Sequence, residues 1–320
     1  MRVTVLSGGI GGARFLMGLR TLGHAVTVIG NVADDVTLLG LRICPDLDTV
    51  MYTLGGGISI ERGWGREDES FRVRDELAAY DEVVADTGVP SWFGLGDLDL
   101  ATHLLRTRWL AAGVTLSEVT RRLCERWQPG VRLLPATDTP VETHVSLVDG
   151  TTVHFQEWWV RLHASVPATG FEVVGAATAA PAPDVVAALT DADVVLLPPS
   201  NPVVSVGAIL AVPGIRDALR ATAAPVVGLS PIIGGAPVRG MADACLTAIG
   251  VETSAGAVAT HYGARSDGGV LDGWLVDTAD ASAVENPVVP TVSVPLLMTD
   301  LESTAAMATA ALTLATQVRR

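Results

Sequence analysis

The sequence contains no lysine; all 21 of its basic residues are arginine. That absence removes chemistries needing a side-chain amine: the phosphate-binding lysine of a Walker loop, a Schiff base, a pyridoxal phosphate anchor. Cysteine is scarce as well. Cys44, Cys124 and Cys245 lie far apart with no C-x-x-C spacing, which argues against a disulfide framework or a zinc site and fits a reducing compartment. Positive charge is outweighed by acid, leaving a formal net charge of −14, so no nucleic-acid partner is expected. The longest uncharged run, 194–215, holds Pro198, Pro199, Pro202 and Pro213. It reads as buried strand plus loop, so no membrane span is expected. Met1-Arg2 leads straight into a strand and a glycine loop, so no signal peptide and a cytoplasmic location are expected.

What is present is a globular chain of 320 residues, 49% of them hydrophobic, with ample interior for a core. Val3–Leu6 reads as a strand and Ser7–Gly12 as a glycine loop. Phe15, Leu16, Leu19 and Leu22 keep helical spacing up to Gly23, a natural C′ residue. Val26–Ile29 is the second strand of a right-handed βαβ unit. The rhythm then breaks. Residues 60–85 are charged and helical in character, ending near Gly88-Val89-Pro90. Thr115–Trp127 reads as a helix opened by a capping box of Thr115 and Glu118. Val141–Val148 and Thr151–Val160 alternate around Asp149-Gly150, the signature of a hairpin. The α/β rhythm returns with Asp193–Leu197 and Pro225–Leu229, each followed by a loop and a helix. Trp274–Asp277 and Thr291–Val294 read as late strands, and Glu302–Val318 as a closing amphipathic helix. The expected fold is α/β: one Rossmann-like domain over 1–320, a mostly parallel sheet flanked by helices. An α+β insertion at about 55–185 carries the β-hairpin.

Several motifs carry chemistry. Ser7 to Arg14 follows a strand and opens a helix, so the backbone N–H groups of Gly8, Gly9, Gly11 and Gly12 can hold a phosphate; alternatively the glycines only permit a tight turn. Arg14 stands where the dinucleotide fingerprint has its third glycine, and Asn31 where it has the ribose-binding acid. Both weaken an NAD-dependent reading. Asp34-Asp35 follows the second strand, where ligands gather. Asp46 and Asp48, one residue apart before a helix, can share a divalent cation with a phosphate; alternatively either is an N-cap. Asp97 and Asp99 before Ala101-Thr102-His103 repeat the arrangement, with the same alternative. Pro199-Ser200-Asn201-Pro202 and Ser230–Gly235 each join a buried strand to a helix and offer stiff anion seats. They serve equally well as ordinary rigid connections.

At these motifs the sequence resembles the 2-phospho-L-lactate transferase family of coenzyme F-420 biosynthesis, called phosphoenolpyruvyl transferase in actinobacteria. Seven ordered pieces carry the likeness: SGGIGGAR from Ser7, NVADD from Asn31, PDLDTV from Pro45, GDLDLATH from Gly96, HFQEW from His154, PSNP from Pro199 and SPIIG from Ser230. The resemblance implies a homodimer and a magnesium-dependent attack by the ribityl hydroxyl of the deazaflavin Fo. The hydroxyl attacks the distal phosphorus of a guanosine diphosphate-linked three-carbon acid, and GMP leaves. Asp48 resembles the family's deazaflavin-contacting aspartate, with Asp46 as second carboxylate near the metal. Leu98 stands where some members carry a deazaflavin-contacting arginine. Gly8, Gly9, Gly11, Gly12, Asn31, Asp35, Asp97, Asp99 and His103 are expected to contact substrate. Ser200, Asn201, Ser230 and Gly234 are expected on the nucleotide side. Displacement at phosphorus needs positioning and charge neutralisation more than a nucleophilic side chain, and the chain offers those. The lysine-free, alanine- and valine-rich composition points to the phosphoenolpyruvyl donor of actinobacteria. The runner-up is a nucleotide-sugar-binding regulator of carbon metabolism with a similar Rossmann core.

Overall fold

The computed structural model describes residues 1–84, 92–284 and 286–319. Its centre is a sheet of seven strands: β1 (Arg2–Ser7), β2 (Ala25–Gly30), β3 (Arg132–Pro135), β4 (Val194–Leu197), β5 (Val226–Leu229), β6 (Gly273–Val276) and β7 (Thr291–Ser293). Their spatial order is β7-β6-β5-β4-β1-β2-β3, and every neighbouring pair is parallel. The middle strands show why. Val-Val-Leu-Leu in β4 and Val-Val-Gly-Leu in β5 are buried at every residue, as strands covered by helices on both faces must be. Chain order reverses between β1 and β4, so the crevice at their carboxyl ends is the topological switch point where such sheets bind ligands.

Helix α1 (Gly9–Thr21) buries Phe15, Leu16 and Leu19 against the sheet and ends where expected, with Gly23 at φ +70°. Helices α2 (Pro45–Leu54), α3 (Arg72–Val83), α4 (Asp97–Ala111) and α5 (Leu116–Trp127) follow before the chain re-enters the sheet. That re-entry is β3, which pairs with β2 from Thr27↔Arg132 onward. The 55–185 stretch therefore supplies one edge of the main sheet. The four residues of β3 are too short a run to stand out in the sequence. The rest of the stretch includes a separate antiparallel sheet of Glu142–Leu147, Thr152–His154 and Ala168–Val174.

The hairpin forms at Asp149-Gly150, where Asp149 Oδ1 accepts from Thr151 N at 2.9 Å. Its second arm is shorter than the expected Thr151–Val160. After His154 the chain makes a π-helical turn over Glu157–Arg161, because Phe155 and Trp158 are three residues apart and share a side of a helix, not of a strand. Trp158 is 0% exposed, and its Nε1 donates to Val166 O at 2.8 Å. Among the described residues of the charged 60–85 stretch, only α3 is helical, with no buried residue; the expected end near Gly88-Val89-Pro90 lies outside the described residues. Half of the expected capping box forms. Thr115 accepts from Glu118 N at 3.4 Å, while the Glu118 carboxylate turns to Arg121 at 2.6 Å and Arg122 at 2.8 Å. The closing helix, Leu301–Gln317, starts with a full capping box of Asp300 and Ser303. No described helix is long and apolar enough to cross a membrane.

Candidate active-site cleft

A cavity of about 1050 Å³ opens at the switch point, between the loop after β1, helices α2 and α4, and the loops after β4 and β5. The glycine loop is wedged between these walls. A Cβ on Gly11 would stand 2.4 Å from Pro199 O, and one on Gly8 would stand 2.4 Å from Ser205 Cβ. Side chains are excluded there by neighbouring atoms, not by the turn alone.

The chain's own Asp46 occupies part of the seat this loop offers an anion. Its carboxylate accepts from the Gly9 backbone N–H and from Asn31 Nδ2 at 2.9 Å. Burial pushes the Asp46 carboxyl up to about 6, against the lowering effect of those two hydrogen bonds. Asn31 also donates to Val204 O at 3.2 Å and accepts from Ala33 N at 3.0 Å, tying the loops after β2 and β4 together. Asp46 and Asp48 do not converge as the sequence pattern suggested. Helix α2 starts at Pro45 behind an N-cap at Cys44, so both carboxylates lie inside its first turn. Side chains two apart on a helix do not face each other. Neither aspartate acts as the cap.

Asp48 belongs instead to a second cluster. One ligand atom each from Asp48, Asp99 and His103 lies within 4.8 Å of the others. Helix α4 brings Asp99, His103 and Arg106 to one face at i, i+4 and i+7, and α2 places Tyr52 one turn after Asp48. Arg106 Nη2 donates to Asp48 Oδ1, while its Nη1 contacts His103 Nδ1 at 3.0 Å and donates to Arg42 O at 3.3 Å. A guanidinium only donates, so Nδ1 is the acceptor and the proton of His103 sits on Nε2. That atom lies 3.5 Å from Asp99 Oδ2, and Asp99 Oδ1 accepts from Tyr52 Oη at 2.6 Å. Burial raises the Asp48 carboxyl against the pull of Arg106 and His103. At Asp99 burial also acts upward, but nearby His103 and the hydrogen bond from Tyr52 outweigh it and hold the carboxyl below its usual range.

The cluster has unfinished valences. Asp48 Oδ2 and His103 Nε2 are buried with no hydrogen-bond partner. Two carboxylates, and an imidazole whose Nε2 becomes a ligand once its hydrogen moves to Nδ1, fit a divalent cation, and the imidazole extends the choice from magnesium to manganese- or zinc-like ions.

The remaining expected residues divide between the cleft and its supports. Ser200 and Asn201 line the cavity, but Ser200 Oγ donates to Gly8 O at 3.2 Å. Asn201 Oδ1 accepts from Val203 N at 2.9 Å and Val204 N at 3.2 Å. Ser230 lines it too, with Oγ engaged by Ile232 N at 3.1 Å. Gly234 lies off the cavity lining, and its N–H donates to Asp280 at 3.0 Å. Asp35 sits behind the cleft, 3.4 Å from Arg42 Nη2; burial pushes its carboxyl up to about 7, opposed by Arg42. Its neighbour Asp34 lines the cavity, its carboxyl held well above the usual range by burial and by Asp46. Asp97 turns away to cap α3, accepting from Ser70 Oγ at 2.6 Å, Arg72 N at 3.2 Å and Val73 N at 3.1 Å. Tyr52 and Arg106 went unread, although both stand at helical spacing from expected residues.

Strand order and cleft position together define the class: a Rossmann-type α/β protein with its large cleft at the switch point. The family model described as 2-phospho-L-lactate transferase CofD matches residues 3–306, and the chain belongs to that family of transferases. Among curated relatives, a "Phosphoenolpyruvate transferase" of Streptomyces coelicolor is 61% identical over 328 residues, covering 100% of this chain and 99% of its own. One from Thermobifida fusca with the same name is 59% identical over 332 residues, again covering 100% and 99%. A crystal structure of a UPF0052-family protein from Bacillus halodurans shares the fold at a TM-score of 0.60 and 18% identity, covering 97% of this chain and 99% of its own.

Proposed function

We propose that the protein transfers a phosphoenolpyruvyl (or 2-phospholactyl) group from a guanosine diphosphate-linked donor to the deazaflavin Fo, releasing GMP, in coenzyme F-420 biosynthesis. It does so in the cytoplasm, as a homodimer. The observation that carries this reading is the Asp48–Asp99–His103 set, open-valenced and on the same cavity as the glycine loop and the loops after β4 and β5. The names of the relatives agree with it.

Asp48, Asp99 and His103 are the residues that would hold a divalent cation, most simply magnesium. Such an ion neutralises phosphoryl charge. Trp64, Trp92 and Phe93 on the cavity wall offer flat faces to a tricyclic acceptor. Asp46, pushed up to about 6, has the proton affinity suited to receiving the ribityl hydroxyl's proton near neutral pH. The hydroxyl oxygen then bonds to the distal phosphorus, and the bridging oxygen departs with GMP. Gly9 and Asn31 hold Asp46 in place for that role.

The test supplies Fo, magnesium and each guanylated donor separately and reads the product by mass. The dehydro product, lighter by two hydrogens, should form faster. Faster turnover of the lactyl donor would reverse the donor choice and keep the transferase. Product from neither would return the nucleotide-sugar-binding reading to first place.

A further inference from the structure

We infer that Arg14 and Arg239 form a two-guanidinium clamp for the diphosphate bridge of the donor. This rests on the proposed transferase reading and adds residues that the glycine-loop and cation arguments do not use. Both side chains line the cleft. Arg14 lies on α1, one turn beyond Ile10, and helical side chains lean back toward the N-terminus, here toward the glycine loop. Arg239 comes from the other wall, after the short hairpin of Ile232–Ile233 and Ala236–Pro237. Its Nη1 stands 3.0 Å from the point a Cβ on Gly63 would occupy, and that point is 3.6 Å from Ile10 Cδ1. The guanidinium therefore stands against Gly63, which also packs near Ile10 of the glycine loop.

The charge of Arg239 is felt at Arg14. Among the described residues neither guanidinium has a carboxylate partner or a hydrogen-bond acceptor. Burial, and then the charge of Arg239, lower the affinity of Arg14 for its proton. In a chain of net charge −14, two unpaired arginines on one cavity lining are an exception to the surplus of acid. The other cleft arginines are engaged: Arg62 donates to Arg66 O and Arg74 pairs with Asp75 at 2.6 Å. Two unpaired guanidiniums on the lining of one cavity call for a ligand with more than one negative charge, and a diphosphate matches that charge and the bidentate geometry of arginine. A single carboxylate would satisfy only one of them.

The test compares wild type, Arg14→Gln and Arg239→Gln by titration calorimetry with guanosine, GDP and inorganic pyrophosphate. Arg239 is exposed and Arg14 half-buried, so neither variant removes core packing. Each substitution should weaken GDP and pyrophosphate roughly tenfold or more, the size of a lost charge-assisted bond, and leave guanosine binding unchanged. GDP affinity unchanged in both variants would overturn the clamp and leave the transferase reading intact. Unchanged GDP affinity with a raised KM for the donor would place the arginines on the acid's carboxylate and overturn the diphosphate assignment. If wild type binds pyrophosphate but not GDP, and the variants lose it, the clamp stands while the guanylated-donor reading fails.

Discussion

His103 Nε2 lies 3.5 Å from Asp99 Oδ2, one turn along the same helix, and Arg106 at Nδ1 keeps the ring's proton on that side. A cation joining this cluster through Nε2 needs that hydrogen moved to Nδ1 and Arg106 turned away. His103→Ala should therefore weaken manganese binding at least tenfold. Calorimetry on wild type and variant measures it, and equal affinity would mean that His103 is not a ligand.

The Asp48–Arg106 contact changes what a substitution at Asp48 should do. A carboxylate serving only as a helix cap would lose about 1 kcal/mol on replacement. Arg106 is 1% exposed, and stripping one partner from a buried ion pair costs about 3–5 kcal/mol. Arg106→Leu should lower the unfolding free energy by that amount, read from urea denaturation. Asp48→Asn, which keeps an acceptor oxygen, should cost less. The double variant should cost less than the sum of the two. Strict additivity would show that the pair does not couple.

Buried carboxyls give stability a pH dependence of definite sign. Asp35 is pushed up to about 7 by burial, against Arg42, while the unfolded chain ionises near 4. Between those values the native state binds more protons than the unfolded one, so this group's effect is that stability falls as pH rises. Asp35→Asn removes that loss. Relative to wild type it should raise the urea midpoint at pH 8 and change it little at pH 4. An equal shift at both values would attribute the effect to packing.

The parallel sheet was legible because most of its strands are largely apolar runs beside glycine and proline loops; β1, β2, β4, β5, β6 and β7 all fall within a residue or two of expectation. β3 was hidden by brevity, and the Glu157–Arg161 turn by a hairpin pattern that continued past its end. At the site, the GDLDLATH run drew attention to the right helix but gave Asp97 and Asp99 equal weight. Helical spacing separates them: Asp99 shares a face with His103 and Arg106, and Asp97 does not. The Asp46–Asp48 pairing misled because a one-residue gap converges on a strand face and diverges on a helix.

The loops after β4 and β5 spend their polar groups on protein partners, so their effect on the nucleotide should be indirect. Asn201→Ala frees two loop amides, those of Val203 and Val204. It should cost about 1 kcal/mol of stability and weaken GDP binding several-fold by loosening the loop. Titration of GDP against Asn201→Ala and Ser230→Ala checks this; unchanged affinity in both places the nucleotide elsewhere.

The most direct measurement of the central claim is transfer to Fo as a function of cation concentration, after chelation, in wild type, Asp99→Asn and His103→Ala. Wild type should be inactive without a divalent ion and restored by magnesium or manganese. The variants should turn over more than tenfold more slowly and need more cation for half-maximal rate. Full turnover in the presence of chelator, or variants with an unshifted cation requirement, would contradict a cation held by Asp48, Asp99 and His103.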